Sequence, residues 1–295
     1  MRLPTLDEHL VRRLVRQQFP EFANLPVEQI RPGGWDNASF RLGDRLIAKL
    51  PRAERYASQP LREREILRAL SDRLPIQTPR QLGIGQPGEG YPFNWSLLDW
   101  IDGTTVAESG NHDIANVEGL AHVLVALHHP AHAVRLRPGP CNFWRGAPLA
   151  NLGGDVAAAI DELSQKWPIA RLHRLWDQAV DCPAAGAPVW VHGDIAPGNL
   201  ILHNGRLVAI IDFGLAAVGD PACDLAIAWL SFNSRARRRF LDAYGRADTG
   251  LLVRARGWAL WKALLMAAGR SYTPPGYRDC AEILDEILGE TDDFA

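Results

Sequence analysis

Trp190-Val191-His192-Gly193-Asp194-Ile195-Ala196-Pro197-Gly198-Asn199, followed thirteen residues after Asn199 by Asp212-Phe213-Gly214, decides how this chain is read. Asp194 and Asn199 stand five positions apart. After Asn199 come two short β-rich runs, Leu200-Ile201-Leu202 and Leu207 to Ile211, separated by Asn204-Gly205, a strong two-residue hairpin signal. A hairpin folds its ends together, so Asn199 before it and Asp212 after it are expected at one edge. Two hard oxygen ligands there suit Mg²⁺, which takes a few protein oxygens and shares phosphate oxygens with its substrate. Asp194, one loop away, is left to accept a proton from an incoming hydroxyl. Such a layout suits phosphoryl transfer, whose demands are positioning and charge neutralisation.

His-Gly-Asp-x₄-Asn followed by Ile-Asp-Phe-Gly resembles the catalytic and metal loops of the aminoglycoside phosphotransferase family, relatives of the protein kinases. Gly193 stands where most protein kinases carry Arg, which points to a small-molecule kinase. Gly219-Asp220-Pro221-Ala222-Cys223-Asp224-Leu225-Ala226 resembles the next block of the same family. A lone His-Gly-Asp tripeptide would only mark a turn; four ordered blocks at matching spacing carry the resemblance.

With 295 residues, the chain allows one large domain or two modest lobes. Hydrophobic residues at 47% and charged residues at 22% are ordinary for a globular protein. A net charge of −2 supplies no global attraction to nucleic acid or anionic membrane. The run Arg235-Ala236-Arg237-Arg238-Arg239 is local and reads as a solvated helix face. No signal-type leader is read, and no apolar run reaches the roughly 20 residues of a membrane helix. Cys141, Cys182, Cys223 and Cys280 are far apart and read as free thiols, so a cytoplasmic setting is expected.

Taken in order, Thr5 with Glu8 reads as a capping box for a first helix lined by Leu6, Leu10, Val11, Leu14 and Val15. Gly33-Gly34-Trp35-Asp36-Asn37-Ala38-Ser39-Phe40-Arg41-Leu42 follows, with Asn37 read as a tight-turn residue. It is similar to the nucleotide-covering hairpin of the family, making Gly34, Asn37 and Ser39 its expected nucleotide contacts. Lys49 lies in the apolar strand Arg45 to Leu50 and needs a counter-charge or a phosphate. The resemblance assigns it to the α/β-phosphates of the nucleotide. A carboxylate of the helix Pro60 to Leu70 should hold it: Glu63 by its spacing to Leu67 and Leu70, with Glu65 the alternative. Residues 71–92 read as a Pro/Gly-rich connection, and Phe93 to Ile101 as the last strand of the lobe. By resemblance Asp99, Trp100 and Ile101 form the hinge whose backbone reads the purine edge, with Leu97 either flanking the purine or in the core.

A helix through Ile114, Val117, Ala121, Leu124, Val125 and His128 opens the second lobe. His128, His129 and His132 lack acidic or cysteine neighbours, so His128 reads as a satisfied core histidine. Residues Val134 to Gly154 read as loop, with Cys141-Asn142-Phe143-Trp144-Arg145-Gly146 either bordering the substrate pocket or simply packed. Helices are expected at about 155–166, 169–181, 234–246, 250–270 and 277–289. Trp258, Trp261, Leu264 and Leu265 form a stripe that reads first as core. By resemblance Asp224, opening an apolar helix through Leu230, hydrogen-bonds the loop backbone near His192, so both residues support Asp194.

The expectation is thus an α+β, kinase-like fold: residues 1–102 an N-terminal nucleotide-binding lobe with an antiparallel sheet, residues 103–295 a larger helical lobe with the catalytic loop and acceptor site. Nucleotide is expected in the cleft between them. The resemblance implies transfer of the γ-phosphoryl of ATP or GTP to a hydroxyl of a small acceptor, an aminoglycoside or related antibiotic. Asp194 would be the base, Asn199 and Asp212 the Mg²⁺ ligands and Lys49 the phosphate cation. Alternative acceptors are choline, homoserine, a ketosamine or a macrolide; a different class of function is a catalytically inactive nucleotide-binding regulator. Oligomeric state is left open. Seven acids and no Lys or Arg between Asp279 and Ala295 (Asp279, Glu282, Asp285, Glu286, Glu290, Asp292, Asp293) suggest a cationic acceptor, against the plainer reading of a solvated acidic end.

Overall fold

The computed structural model describes residues 3–31, 33–70, 72–110, 117–131 and 136–290. The chain divides into two compact units, Met1–Asp72, Gln77–Asp102 and Ile211–Gly214 in the first, Arg73–Ile76, Gly103–Ile210 and Leu215–Ala295 in the second. Asp212 therefore belongs with the N-terminal strands, although the sequence reading placed it past a boundary at 102. No helix among the described residues is long and apolar enough to cross a membrane.

In the first unit, helix α1 (Glu8–Gln18) precedes strands β1 (Val27–Gln29), β2 (Asn37–Leu42) and β3 (Leu46–Pro51). Helix α2 (Gln59–Leu70) and strands β4 (Gln81–Gly85) and β5 (Trp95–Asp99) follow. All neighbours in the sheet pair antiparallel, in the order β1-β2-β3-β5-β4. The apolar face of α1 (Leu10, Val11, Leu14, Val15) is buried in one cluster with Phe40, Leu42, Ala48, Leu50, Trp95 and Leu97 of the sheet. Each such side chain removed from water contributes about 1.5–3 kcal/mol. Leu97 is thereby core and does not flank a purine.

Two local expectations are corrected. The cap of α1 is Asp7, which accepts from the Leu10 amide at 2.9 Å, not Thr5; Glu8 instead accepts from the Gln29 amide of β1 at 3.2 Å. Once Glu8 is tied to a strand, it is no longer available to close a box. The supposed connection 71–92 contains β4. Its glycines, which obscured the strand, are set by ring packing: a Cβ on Gly83 would lie 2.4 Å from the Phe19 ring and one on Gly85 1.9 Å from Trp95.

The second unit is mainly helical. It contains β6 (Thr104–Thr105), α3 (Val106–Ser109), α4 (Val117–Leu127), α5 (Gly153–Glu162) and α6 (Ile169–Asp181). Strands β7 (Val189–Val191), β8 (Leu200–His203), β9 (Arg206–Ile210) and β10 (Ala217–Gly219) surround the loop that carries Asp194. Helices α7 (Ala222–Leu225), α8 (Ile227–Leu230), α9 (Ser234–Tyr244), α10 (Thr249–Ala267) and α11 (Cys280–Gly289) complete it. Strand β7 pairs with β10, and β8 with β6 and β9, all antiparallel. Asn204 and Gly205 both have positive φ, 50° and 73°, as the two-residue turn between β8 and β9 requires. Helix α10 packs against α5, α6, α7, α8 and α11. It is therefore apolar almost all round, with Trp258, Trp261, Leu264 and Leu265 buried.

Ile114 and His132 lie outside the described residues. The helix expected through Leu230 is two short helices, with Asp224 inside the first. The last helix starts at Cys280, where Asp279 accepts from the Ala281 amide at 2.9 Å. The arginine run is only partly a solvated face. Arg237 pairs with Glu286 and Glu290 and covers Trp229, and Arg239 pairs with Glu118.

Candidate active site

Within the first unit, strand β3 points Lys49 at two carboxylates, Asp212 Oδ1 at 2.8 Å and Glu63 Oε1 at 3.3 Å. Glu65, the alternative partner, makes no ion pair with it among the described residues. Burial alone would push the Lys49 pKa down; the charges of Asp212, Glu63 and Asp36 outweigh it and hold the ammonium above its ordinary value. Burial pushes the Glu63 carboxyl up, and Lys49 pulls it only partly back. Glu63 Oε1 also accepts from the Phe213 amide at 3.2 Å, which ties Ile211–Gly214 to α2. Asp212 itself sits at φ +68°, a conformation that costs a non-glycine residue about 1–3 kcal/mol. A strained residue held by a buried ammonium is what a ligand-binding carboxylate looks like.

The other first-unit candidates are partly occupied. Asn37 opens β2 and is not a turn residue; its buried amide donates to Gln59 Oε1 at 3.1 Å, because the side chain faces inward over α2. Gly34 offers its carbonyl to Arg52 Nε at 3.1 Å. Ser39 lies opposite Lys49 in the β2–β3 ladder. Asp99 Oδ1 accepts from the Arg80 amide at 2.6 Å, and the Trp100 amide donates to the Arg45 carbonyl at 2.7 Å. No described hydrogen bond engages the Ile101 amide.

In the second unit, the loop after β7 is pinned by one buried acid. Asp224 Oδ2 accepts from the His192 amide and Oδ1 from the Gly193 amide, both at 2.7 Å. Oδ2 also receives His128 Nε2 at 3.1 Å, and His128 Nδ1 lies 2.9 Å from the Tyr244 hydroxyl. A carboxylate acceptor fixes the proton on Nε2 and leaves Nδ1 to accept from Tyr244. Burial would raise the Asp224 pKa, but the His128 hydrogen bond, the electrostatic pull of the His128 and His192 rings and the His192 amide together hold it below the ordinary value. His192 Nδ1 accepts from the Asp194 amide at 3.2 Å, so that lone pair serves the loop. Asn199 Nδ2 donates to the Asp194 carbonyl at 2.9 Å and to Oδ2 at 3.1 Å. Asp194 is thus held by three hydrogen bonds with two residues, His192 and Asn199.

Gly193 has a sharp physical reason. Its φ is +79°, and a Cβ there would lie 2.7 Å from the Leu215 carbonyl and 2.9 Å from Arg145 Cβ. Sequence reasoning singled out the loop that carries Arg145 and left open whether it borders the substrate pocket or is simply packed. Asn142 is fully buried and donates to the carbonyls of Arg145 and Leu215, both at 3.0 Å, locking that loop against the Asp194 loop. His128 was read as a satisfied core histidine without the acid that satisfies it, 96 residues away.

Several of the C-terminal acids have partners. Glu286 pairs with Arg237 at 2.6 Å and with Arg278, and Glu290 with Arg237 and the Trp229 indole, both at 2.9 Å. Asp285 accepts from the Trp167 indole at 2.9 Å, and Asp279 caps α11. Burial would raise the Glu286 pKa, yet Arg278 and Arg237 bring it below its ordinary value. Guanidinium groups engage Glu286 and Glu290 and dock α11, while Glu282 and Asp285 are exposed. Asp292 and Asp293 lie outside the described residues.

The phosphotransferase enzyme family matches residues 27–264, and the chain belongs to it. An aminoglycoside 3'-phosphotransferase of Escherichia coli is 28% identical over 169 residues, covering 52% of this chain and 59% of the relative, so the match spans about three fifths of that relative's length. Among solved structures, the GDP and kanamycin complex of APH(2")-IIia aligns with TM-score 0.69 at 18% identity, covering 95% of this chain and 98% of that one. The macrolide 2'-phosphotransferase MphH from Brachybacterium faecium aligns at 0.64 and 18%, covering 97% and 100%. The fold is kinase-like.

Proposed function

We propose that the chain is a small-molecule kinase that moves the γ-phosphoryl group of ATP or GTP to a hydroxyl of a small acceptor. The observation that carries the reading is the fixed carboxylate of Asp194, with its loop amides on Asp224 and its side chain on Asn199. The acceptor oxygen bonds to the γ-phosphorus while the bond from phosphorus to the β–γ bridging oxygen breaks. The hydroxyl proton passes to Asp194, and the nucleoside diphosphate leaves. Lys49 is assigned to the nucleotide phosphates, with Glu63 holding it. Gly34 and Ser39 are assigned to the covering hairpin, and Asn37 to its support from below. The Trp100 carbonyl and Ile101 amide are assigned to the purine edge, with Asp99 as the end of the strand that presents them. His192 and Asp224 act through the loop backbone.

Mg²⁺ is assigned to Asp212 of the first unit and Asn199 of the second, each by the chemistry of its own oxygen. The Asp212 carboxylate and the Asn199 amide oxygen are hard donors, and the Asn199 nitrogen is already spent on Asp194, which leaves its oxygen for a cation. Among the described residues no group of three or more His, Cys, Asp or Glu side chains forms a metal cage. When bound, Mg²⁺ would neutralise phosphate charge.

The test has two arms. ATP with Mg²⁺ should raise the Tm of the wild type by mass action, and raise Asp212→Ala less. Asp194→Asn should keep the wild-type Tm shift while kcat falls about 10²- to 10⁴-fold. Equal shifts in wild type and Asp212→Ala, no shift at all, or near-normal turnover in Asp194→Asn would each overturn the assignment.

A further inference from the structure

We propose that the acceptor is an anionic hydroxylated small molecule, whose carboxylate or phosphate is received by Arg145 and Lys262 beside Asp194. The proposal rests on the kinase reading and narrows it to a substrate class.

Three elements of the second unit bring these groups together. Arg145 comes from the loop locked by Asn142, with its Cβ against Gly193, the residue before Asp194. Its guanidinium lies over the Trp261 ring at 4.5 Å and the Trp258 ring at 5.7 Å, so α10 sets its direction. Lys262 follows Trp261 on α10, half-buried, with Nζ donating to Ser271 Oγ at 2.8 Å. The segment after α10 returns over the loop: a Cβ on Gly276 would lie 2.6 Å from Pro197, and Tyr277 feels the charges of Asp194 and Arg145.

Neither cation has a carboxylate partner in an ion pair among the described residues, unlike Arg237, Arg254, Arg270 and Arg278 in the same unit. The charge of Asp194 reaches both Lys262 and Tyr277. Acceptors are short as well: Arg145 Nε, Trp258 Nε1 and Trp261 Nε1 are buried without a hydrogen-bond partner. Burial first, and Arg145 second, depress the Lys262 ammonium to a pKa of about 8, against the opposing pull of Asp194. Two cations without an ion-pair partner among the described residues favour an acid over a polyamine at this place. The acceptor's hydroxyl would then reach Asp194 for the phosphoryl transfer described above, with its acid group held by the two cations.

One sugar ring in different charge states tests this at constant ionic strength with saturating MgATP: glucuronate and glucose 6-phosphate (anionic), glucose (neutral) and glucosamine (cationic). Turnover is read as nucleoside diphosphate release, and binding as the Tm shift of the nucleotide-loaded protein. The anions should bind best, and Lys262→Met and Arg145→Gln should each raise their KM about tenfold, as for loss of a charge-assisted hydrogen bond. Values of kcat, and KM for glucose, should stay near wild type, and Arg145→Lys should recover part of the loss. The two anions tell a carboxylate site from a phosphate site. Anions that bind through these residues while no sugar releases diphosphate would support the anion site and overturn the kinase reading. Turnover of glucose or glucosamine in preference to the anions, or no anion binding, would overturn the inference and leave the kinase reading standing. An equal fall in kcat for every acceptor in both variants would also overturn it, because the cations would then serve the transferred phosphoryl group.

Discussion

Glu63 in the first unit and Asp224 in the second are both buried carboxylates at the root of a functional loop, yet they are satisfied in opposite ways. Both donors to Glu63, the Lys49 ammonium and the Phe213 amide, converge on one oxygen, Oε1. Asp224 spreads its donors over two oxygens, with His192 and His128 on Oδ2 and Gly193 on Oδ1. Burial wins at Glu63 and lifts its pKa, while hydrogen bonds and the electrostatic pull of neighbouring rings win at Asp224 and depress it. A carboxylate that saturates both oxygens with fixed donors is scaffolding. One that shares an ammonium with a strained aspartate is placed to exchange partners when a ligand arrives.

Replacing each acid by its amide breaks the comparison where it is sharpest. In Asp224→Asn the new NH₂ group must face the His192 amide or the Gly193 amide, donor against donor. Together with the lost charge, this should cost about 3 kcal/mol or more in urea denaturation at pH 7. The sign of the pH dependence follows from the depressed pKa. The wild-type advantage is fully present above the unfolded value of 3.8 and is lost as pH falls through the lower folded value. A near-neutral Asp224→Asn would mean that the carboxylate is not the anchor of the loop.

Glu63→Gln should be far milder, within about 1 kcal/mol of wild type. Its amide oxygen can take both the Lys49 and Phe213 donors, and Asp212 still pairs with Lys49 at 2.8 Å. Its effect should appear in the ligand response instead. With one carboxylate fewer to hold Lys49, the Tm shift caused by ATP and Mg²⁺ should shrink, although less than in Asp212→Ala. A destabilisation as large as that of Asp224→Asn would make the two acids equivalent and remove the contrast.

How much of this was legible in the sequence follows the same division between local and distant determinants. The Asp194 loop, the Asn204-Gly205 hairpin and Asp212 are encoded within a run of some two dozen residues, where turn chemistry and alternation act locally. Lys49 betrayed itself as a charge in an apolar strand. Strand β4 was hidden because Gly83 and Gly85 answer to Phe19 and Trp95, which lie outside the strand. The His128–Asp224 bond and the meeting of Arg145 with Lys262 depend on tertiary packing, which no local pattern records. In the acidic C-terminal segment the charge was visible, and the arginines that engage Glu286 and Glu290 were not.

The two lysines carry the comparison down to its smallest expected effect. Lys49, facing three acids, is held charged; Lys262, buried beside Arg145 with Asp194 opposing, has a pKa of about 8. If Lys262 binds the acid group of an acceptor, KM for glucuronate should rise as pH climbs through about 8, while KM for glucose stays flat. The inflection belongs in kcat/KM, which reports the free enzyme. Bound anion favours the charged lysine, so the matching change in kcat should fall at higher pH. Stability should move the other way. The folded pKa lies below the unfolded 10.5, so charged Lys262 opposes folding below about 8, and that penalty is relieved as pH rises toward 10.5. The groups facing Lys262 are Arg145, Asp194 and Ser271, with Tyr277 nearby. Burial keeps the Tyr277 hydroxyl above its ordinary value, so it does not ionise in this window. Lys262→Arg, charged throughout, should flatten the profile for glucuronate. A wild-type profile already flat between about pH 7 and pH 9.5 would show that Lys262 does not meet the acceptor.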